Sequence, residues 1–166
     1  MKFYTADICD ELKEEVQVLA PGFYAYGGVT SAYGPIQTLK LTRNNTELIA
    51  LLKEEGHDRF IVVDVDGAYD AVVGENLMKL AHHNGWAGIL VHGYVRDTHI
   101  TTTIPVGLWA LGTCPRKSFE HNPGERDVAL SFGGVTFRNG DYILADRDGI
   151  IVIDAPGMER LQEKLF

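Results

Sequence analysis

Apolar residues in the first part of the chain recur at two different spacings. Ile8 and Leu12 follow Thr5 four positions apart, which predicts a short amphipathic helix over residues 5–15 with Thr5 as its N-cap. Over residues 36–43 apolar and polar side chains alternate, as they do in a half-buried strand. Helix and strand are therefore mixed from the start of the chain.

A β-α-β unit is predicted in the middle of the chain. A helix begins after Asn45, carries leucines on one face and ends at Gly56. The continuous apolar run over residues 60–65 predicts a strand buried on both faces. A helix over residues 74–84 and a buried strand over residues 88–91 follow, and we expect the crossover to be right-handed.

After residue 104 the pattern changes to short apolar runs separated by glycine-rich turns. These runs predict strands over residues 104–110, 128–132, 135–137, 142–145 and 150–153. A helix over residues 157–165 closes the chain. The sequence therefore predicts a mixed α/β fold, and its length favours one domain spanning residues 1–166.

The charge, the apolar runs and the cysteine spacing of the chain each exclude a class of function or site. With 15 Lys and Arg against 23 Asp and Glu, the net charge of −8 has the wrong sign for binding nucleic acid directly. No apolar run approaches the roughly 20 residues of a membrane helix, and the N-terminus lacks the apolar core of a secretory signal. Cys9 and Cys114 lie far apart, so neither a disulfide scaffold nor a zinc site is indicated. We expect a cytoplasmic protein that binds neither membrane nor nucleic acid.

Polar groups that suit ligand binding are predicted to lie together at one edge of the sheet. The loop before the helix at 74–84 and the loop after the strand at 88–91 meet there, because both follow the carboxyl ends of neighbouring strands. The helix start offers free backbone amides, and the second loop offers one guanidinium and one carboxylate. Together these groups suit a small carboxylate bound with a divalent metal. The candidate residues are Gly74, Glu75, Asn76, Leu77, Arg96 and Asp97.

The same polar groups also have structural interpretations. Arg96 and Asp97 are also compatible with a solvated ion pair. The residues 64–67 resemble the start of a calcium loop, but they lack its closing glutamate, so a strand end and turn is favoured. His92 and His99 flank the Arg-Asp loop, either as neighbours of the site or as ordinary loop histidines.

Ordered motifs along nearly the whole chain resemble one known family. They are Gly74-Glu75-Asn76-Leu77, Trp86-Ala87-Gly88, Arg96-Asp97, Pro105-Val106, Pro123-Gly124-Glu125, Phe132-Gly133-Gly134-Val135-Thr136, Gly140-Asp141-Tyr142 and Ala145-Asp146. This set resembles the RraA-like family, which includes regulators of ribonuclease activity and class II aldolases acting on 4-hydroxy-4-methyl-2-oxoglutarate. The resemblance implies a swivelling β/β/α sandwich assembled as a homotrimer with sites between subunits.

For the aldolase branch, the resemblance implies a role for each candidate. Arg96 contacts the pyruvyl group, Asp97 anchors Mg²⁺ or Mn²⁺, and Glu75 orients the water that reprotonates the enolate. The amides of Asn76 and Leu77 bind the carboxylate of a small 2-oxo acid substrate. The implied reaction is retro-aldol cleavage to pyruvate, with oxaloacetate decarboxylation through the same enolate.

The two branches of the family imply different functions. The well-known bacterial regulator lacks the metal-anchoring aspartate, so the presence of Asp97 favours the enzyme. The longer aldolases carry a C-terminal extension that lends an acid to the neighbouring subunit, and whether Glu159 or Glu163 takes that role stays open. The alternative is a regulator that binds and inhibits ribonuclease E, for which an acidic surface suits a basic partner.

Overall fold

The computed structural model describes residues 1–165. Its helices are α1 (Thr5–Leu12), α2 (Thr46–Leu52), α3 (Glu75–His83), α4 (Thr98–Thr101) and α5 (Ala155–Leu165). Its strands are β1 (Gln17–Val18), β2 (Tyr24–Ala25), β3 (Ala32–Lys40), β4 (Phe60–Asp64), β5 (Ala71–Val73), β6 (Gly88–Val95), β7 (Gly107–Thr113), β8 (Glu125–Arg126), β9 (Leu130–Phe132), β10 (Val135–Phe137), β11 (Tyr142–Ala145) and β12 (Ile150–Ile153).

The long strand β3 belongs to two halves of one sheet. Its residues 36–40 pair in parallel with β4, which pairs in parallel with β6, and β6 with β7. Its residues 32–35 pair antiparallel with β11, which continues into β12 and β1. The strand order is β1-β12-β11-β3-β4-β6-β7-β2, with β5 added to β6 and β8 to β3.

The parallel strands are covered on both faces, as their continuous apolar sequence requires. On one face, alternate residues such as Ile61 and Val63 pack against the leucines of α2 and against Met78 and Ala81 of α3. On the other face, Phe60 and Val62 pack against β11, β12 and the β9–β10 hairpin, whose buried residues include Phe132, Phe137, Ile143 and Val152. A helical layer, a parallel sheet and a second β layer are therefore stacked, which confirms the mixed α/β class.

Helices α1 and α5 cover the outer face of β11 and β12, opposite the face that packs against the parallel strands. Ile8 and Leu12 of α1 and Met158 and Leu161 of α5 are buried against Leu144, Ile151 and Ile153 of β11 and β12. No helix in residues 1–165 is long and apolar enough to cross a bilayer.

The predicted start of α1 is wrong by one position. Tyr4 is the N-cap, and Thr5 is the first helical residue. The backbone N–H and the hydroxyl of Thr5 both donate to the carboxylate of Asp146, each at 2.8 Å. The helix ends at Leu12 and continues as a 3-10 turn over Lys13–Glu15. The carboxylate of Asp146, far along the chain, therefore accepts the free N–H at the start of the helix that Thr5 was predicted to cap.

The prediction that α2 ends at Gly56 is also wrong. The helix ends at Leu52, with Asn45 at its N-cap position as predicted. A Cβ at Gly56 would lie 2.6 Å from the carbonyl oxygen of Gly85, so this glycine permits a close approach of two chain segments. Its N–H donates to the carbonyl of Asn84 at 2.7 Å.

Other predicted strands and helices are present with shifted ends. Strand β3 begins at Ala32 because its first residues pair with β11, and β6 continues to Val95 because its last residues pair with β5. Turns shorten the beginnings of β7 and β9, whereas α5 begins two residues earlier than predicted. The short strands β1, β2, β5 and β8 and the one-turn helix α4 were not predicted.

Candidate active site

The ends of β5 and β6 bring two loops together. Val73 pairs with Val95 in parallel register, and the backbone N–H of Arg96 donates to the carbonyl of Val73 at 2.9 Å. Gly74, which follows β5, and Asp97, which follows Arg96, therefore become neighbours. The predicted convergence of the two loops is produced by β5, a three-residue strand placed between β4 and α3.

A cleft of about 200 Å³ opens at this point and contains all six candidate residues. Its walls come from β5, the first turns of α2 and α3, and the loops after β6 and β7. The lining residues are Asn45, Ile49, Ala71, Val72, Val73, Gly74, Glu75, Asn76, Leu77, Leu80, Arg96, Asp97 and Lys117.

Asp97 is fixed at both its backbone and its side chain. Its backbone is left-handed, with φ 60° and ψ 36°, a region that aspartate enters more readily than most residues. Its carbonyl accepts the N–H groups of Ile100 and Thr101, both at 2.9 Å, which starts α4. Its Oδ2 accepts the N–H of Glu75 at 3.0 Å, whereas Oδ1 has no hydrogen-bond partner within residues 1–165. One carboxylate oxygen is thus held and the other is available.

Gly74 makes room for this carboxylate. A Cβ at Gly74 would lie 2.6 Å from Oδ2 of Asp97 and 3.3 Å from Cγ of Arg96. Its φ of −147° is ordinary extended backbone, so the space, and not the backbone angle, requires glycine here.

The first turn of α3 presents backbone donors to the cleft. Gly74 is the N-cap, and its carbonyl accepts the N–H of Met78 at 3.1 Å. The N–H of Glu75 is used by Asp97, but those of Asn76 and Leu77 have no acceptor in the described part of the chain. Two free amides and the positive end of the helix dipole favour a bound carboxylate.

Arg96 and Asp97 do not form an ion pair with each other. The guanidinium of Arg96 makes one long hydrogen bond, from Nη1 to the carbonyl of Pro115 at 3.4 Å, and has no carboxylate partner among residues 1–165. Glu75 is engaged differently: its Oε1 accepts from Nζ of Lys79 at 2.8 Å. The guanidinium of Arg96 is therefore available to a ligand, and one oxygen of Glu75 remains.

The oxygen donors of one chain suit a metal site in which substrate and water supply most of the ligands. No group of three or more His, Cys, Asp or Glu side chains capable of holding a metal occurs among residues 1–165. The available Oδ1 of Asp97 is nevertheless the hard oxygen donor that Mg²⁺ prefers, and Mg²⁺ is commonly bound by one or two carboxylates with water and substrate.

His92 and His99 do not line the cleft. His92 lies in β6, where its Nδ1 is 2.8 Å from Oδ1 of Asp64, and His99 is an exposed residue of α4. Asp64 also accepts the N–H of Asp66 at 2.8 Å, as expected for a strand end and turn in place of a calcium loop. Lys40 completes this group with Nζ 3.2 Å from Oδ2 of Asp64.

Two polar residues that the sequence analysis missed line the cleft, whereas two glutamates that it considered lie outside the cleft of their own chain. Asn45 and Lys117 line the cleft, although neither stands in a motif that predicted it. Glu159 and Glu163 are exposed on α5, and neither lines the cleft of its own chain.

A larger cavity, of about 630 Å³, lies away from these residues, beside β2 and the turn between β11 and β12. Its turn contributes Asp146, whose carboxylate is already occupied by Thr5 and by the N–H of Asp148 at 2.9 Å. The smaller cleft is the better candidate, because all six predicted residues line it and because Oδ1 of Asp97 and the amides of Asn76 and Leu77 have no partner within residues 1–165.

Comparison with known proteins identifies the family. The family model described as RraA-like, Aldolase/RraA, matches residues 5–152. The chain belongs to the RraA-like family. A relative from Laribacter hongkongensis, named "Putative 4-hydroxy-4-methyl-2-oxoglutarate aldolase", is 45% identical over 157 residues, which are 94% of this chain and 99% of the relative. A relative of the same name from Alkalilimnicola ehrlichii is 42% identical and covers 92% of this chain and 95% of its own.

Solved RraA-like structures share the fold under different names. The RNA-processing inhibitor RraA from Thermus thermophilis has a TM-score of 0.87 at 38% identity, covering 92% of this chain and 93% of its own. A Geobacillus kaustophilus structure named as an S-adenosylmethionine:2-dimethylmenaquinone methyltransferase has a TM-score of 0.88, also at 38% identity, covering 92% and 95%. The fold is thus shared among proteins with different names, so function depends on the site.

Proposed function

We propose that this protein is a divalent-metal-dependent lyase that cleaves 4-hydroxy-4-methyl-2-oxoglutarate to pyruvate. One observation carries the proposal: the available carboxylate of Asp97, the unpaired guanidinium of Arg96 and two free amides line the same cleft. The 45% identity to a relative with the aldolase name supports it.

Substrate binding begins with the carboxylate next to the 2-oxo group. The amides of Asn76 and Leu77 donate to this carboxylate, and the dipole of α3 adds to the attraction. Gly74 keeps the backbone accessible at the same point. Arg96 donates to the oxo oxygen of the bound 2-oxo acid, and its planar guanidinium matches the flat arrangement of oxygens.

The leaving group of the retro-aldol step is the enolate of pyruvate. The hydroxyl on C4 loses its proton to water and becomes the carbonyl of the second product as the C3–C4 bond breaks. The electrons of that bond move onto the oxo oxygen of the first product, where negative charge collects. Arg96 stabilises that charge more strongly than it stabilises the neutral ketone, which lowers the barrier. A fixed charged donor of this kind contributes about 3–4 kcal/mol.

Asp97 is the residue that would hold Mg²⁺ or Mn²⁺, with substrate oxygens and water completing the shell. When bound, the ion supplies Lewis-acid stabilisation to the developing charge. The hydrogen bond from the N–H of Glu75 orients the Asp97 carboxylate for this role, as hydrogen bonds commonly do for metal-binding carboxylates.

Glu75 orients the water that returns a proton to the methylene carbon of the enolate. Lys79 holds one of its oxygens, which leaves the second to accept a hydrogen bond from water. Oxaloacetate yields the same enolate when it loses carbon dioxide, so we expect decarboxylation alongside cleavage.

We further propose that the active form is a homotrimer with sites between subunits. Within residues 1–165 of one chain, the cleft offers two carboxylates, those of Asp97 and Glu75, so a neighbouring subunit would supply any further acid, such as Glu159 or Glu163. Light scattering at micromolar concentration should give the trimer mass, and a monomer would contradict this proposal.

The test of the enzyme proposal is release of pyruvate from 4-hydroxy-4-methyl-2-oxoglutarate, followed with lactate dehydrogenase and NADH. We expect turnover with Mg²⁺ or Mn²⁺, loss of turnover with EDTA, and recovery when the metal is restored. Turnover that is insensitive to EDTA would contradict the metal dependence, and no turnover with either metal would contradict the activity.

A second candidate function is inhibition of RNA processing through ribonuclease E. The 38% identity to the Thermus thermophilis inhibitor and the net charge of −8 favour it, since an acidic surface attracts basic protein segments. Slower cleavage of a ribonuclease E substrate in the presence of the protein would support this function, and equal cleavage rates would reject it.

A further inference from the structure

We infer that Lys117 binds the second, distal carboxylate of the substrate and thereby selects dicarboxylic 2-oxo acids. This inference rests on the proposed function and adds a specificity-determining residue to it. Lys117 lies in the segment after β7, outside every motif that indicated the site.

Lys117 is the second cationic side chain of the cleft. Of the lining residues, Arg96 and Lys117 alone carry a positive charge. Lys117 is exposed, and its ammonium has no carboxylate partner in the part of the chain that the structure describes. Its Nζ lies 5.2 Å from the centre of the Phe119 ring, a weak contact that leaves its hydrogen-bond donors free.

The backbone holds Lys117 beside the cleft. The N–H of Ala71 donates to the carbonyl of Arg116 at 2.8 Å, and Ala71 forms an isolated parallel bridge with Lys117. The segment with Lys117 therefore runs next to β5, the strand that leads into Gly74.

Side chains farther along this segment hold it in place as well. Glu120 lies 3.7 Å from the guanidinium of Arg43, and Asn122 donates to the carbonyl of Thr42 at 3.0 Å. Lys117 is thus a flexible side chain on a fixed backbone.

The chemistry of the substrate requires a second cation. The substrate carries two carboxylates, and the free amides and Arg96 account for the first carboxylate and the oxo oxygen. Lys79 is paired with Glu75 and does not line the cleft. In a chain with a net charge of −8, an unpaired carboxylate would be repelled, so Lys117 is the group that offsets its charge.

The distal carboxylate does not react in the retro-aldol step. It leaves unchanged on the second product, so its contact with Lys117 is equal in the ground state and the transition state. Removing a contact of that kind raises KM and leaves kcat nearly constant. An ammonium on a flexible stem acts as a point charge, so arginine at this position should preserve most of the effect.

The experiment compares Lys117→Met and Lys117→Arg in two reactions of the purified protein with Mg²⁺. One is cleavage of 4-hydroxy-4-methyl-2-oxoglutarate, and the other is exchange of the pyruvate methyl protons with deuterium oxide, observed by NMR. Pyruvate passes through the same enolate but has no distal carboxylate. Lys2→Met is the matched control, because Lys2 also stands over an aromatic ring, at 5.7 Å from Tyr4, but outside the cleft.

We expect Lys117→Met to raise KM for cleavage about tenfold, with kcat within about twofold. The effect on KM for pyruvate exchange should be at least about fivefold smaller, and Lys117→Arg should recover most of the loss. Equal changes in both reactions, or a KM for cleavage equal to that of the Lys2→Met control, would overturn the inference. If the parent protein catalyses neither reaction, the proposed function itself fails, which is a separate outcome.

Discussion

Two polar groups, one around Asp64 and one around Asp97 in the cleft, lie at the carboxyl ends of parallel strands. They differ in how many of their hydrogen-bonding atoms have a protein partner. Around Asp64, the carboxylate accepts from Asp66, His92 and Lys40, so both of its oxygens are occupied. In the cleft, Asp97 is held through one oxygen, and the neighbouring amides of Asn76 and Leu77 have no acceptor within residues 1–165. Within residues 1–165, both oxygens of the Asp64 carboxylate have partners, whereas one oxygen of Asp97 has none.

We interpret this difference as that between a stabilising cluster around Asp64 and the proposed binding site around Asp97. Buried polar groups that satisfy one another fix the surrounding structure, and free donors aimed into a cleft are ready for substrate. Asp64 is 5% exposed, and burial raises the pKa of its carboxyl, but the hydrogen bonds from Asp66, His92 and Lys40 outweigh burial and lower the pKa overall. The predicted effects of mutations follow from this contrast.

The largest effect is expected at Asp97. Asp97→Asn keeps a side chain that tolerates the left-handed backbone but removes the charge proposed to hold the metal. Turnover of 4-hydroxy-4-methyl-2-oxoglutarate and oxaloacetate should fall by roughly a thousandfold, since the metal contributes several kcal/mol. Circular dichroism should show an unchanged fold. Wild-type kinetics in this variant would make Asp97 a structural residue.

Arg96 should show a smaller loss of a different kind. Arg96→Ala should raise KM and lower kcat together, with kcat falling by about two to three decades. Arg96→Lys should not restore the rate, because a mobile ammonium does not replace a planar pair of donors. Steady-state kinetics of both variants measure this, and a lysine variant with more than about half of wild-type kcat/KM would show that charge alone is sufficient.

Gly74→Ala tests the close approach inside the cleft. The added methyl would lie 2.6 Å from Oδ2 of Asp97, so the carboxylate must move. We expect kcat/KM to fall by between about tenfold and a hundredfold, as small misplacements of catalytic groups typically cause. Gly149→Ala is the control, since its added methyl meets nothing within 4 Å. Equal kcat/KM in the two variants would argue against a fixed carboxylate.

The smallest effect on activity is expected from the satisfied cluster. Asp64→Asn removes the charge between Lys40 and His92 and should cost about 1–3 kcal/mol of unfolding free energy at neutral pH. Its kcat/KM should stay within about twofold of wild type. Chemical denaturation and steady-state kinetics measure the two effects separately. A large kinetic loss without a stability change would reverse the roles assigned to the two groups.

The same variant has a defined pH signature. Because the folded-state pKa of Asp64 is lowered, its stabilisation is present in full above the pKa of the unfolded carboxyl, near 4. It is lost as the pH falls through the folded-state value. The stability difference between wild type and Asp64→Asn should therefore shrink in acid, and a difference that grows below pH of about 4 would contradict this account.

Long periodic segments were predictable from the sequence, and short paired ones were not. The apolar run over residues 60–65 predicted β4, and Gly74 predicted the start of α3. Both predictions agree with the observed bounds within one residue. Strand β5 has three residues and forms only because β6 and the segment at Lys117 pair with it. No local pattern marks such a strand, since its partners are distant in sequence.

The residues of the candidate cleft that could be predicted are those that follow a strand or begin a helix. Arg96 and Asp97 follow a buried strand, and Gly74 begins a helix, so the predicted topology placed them at the same sheet edge, whereas the pairing of β5 with β6 sets their actual contact. Lys117 was missed because an exposed lysine in a loop carries no signal until the fold places it against a cleft. The pairing of His92 with Asp64 was missed because it depends on the register of β4 with β6.

The difference between the groups around Asp97 and Asp64 is tested most directly by Mn²⁺ binding in the presence of oxalate, a planar analogue of the pyruvate enolate. Electron paramagnetic resonance of the free ion measures this binding. We expect oxalate to promote Mn²⁺ binding in the wild type and in Asp64→Asn, and binding to be lost in Asp97→Asn. Binding that survives in Asp97→Asn, or that is lost in Asp64→Asn, would contradict the assignment of the cleft as the metal-dependent site.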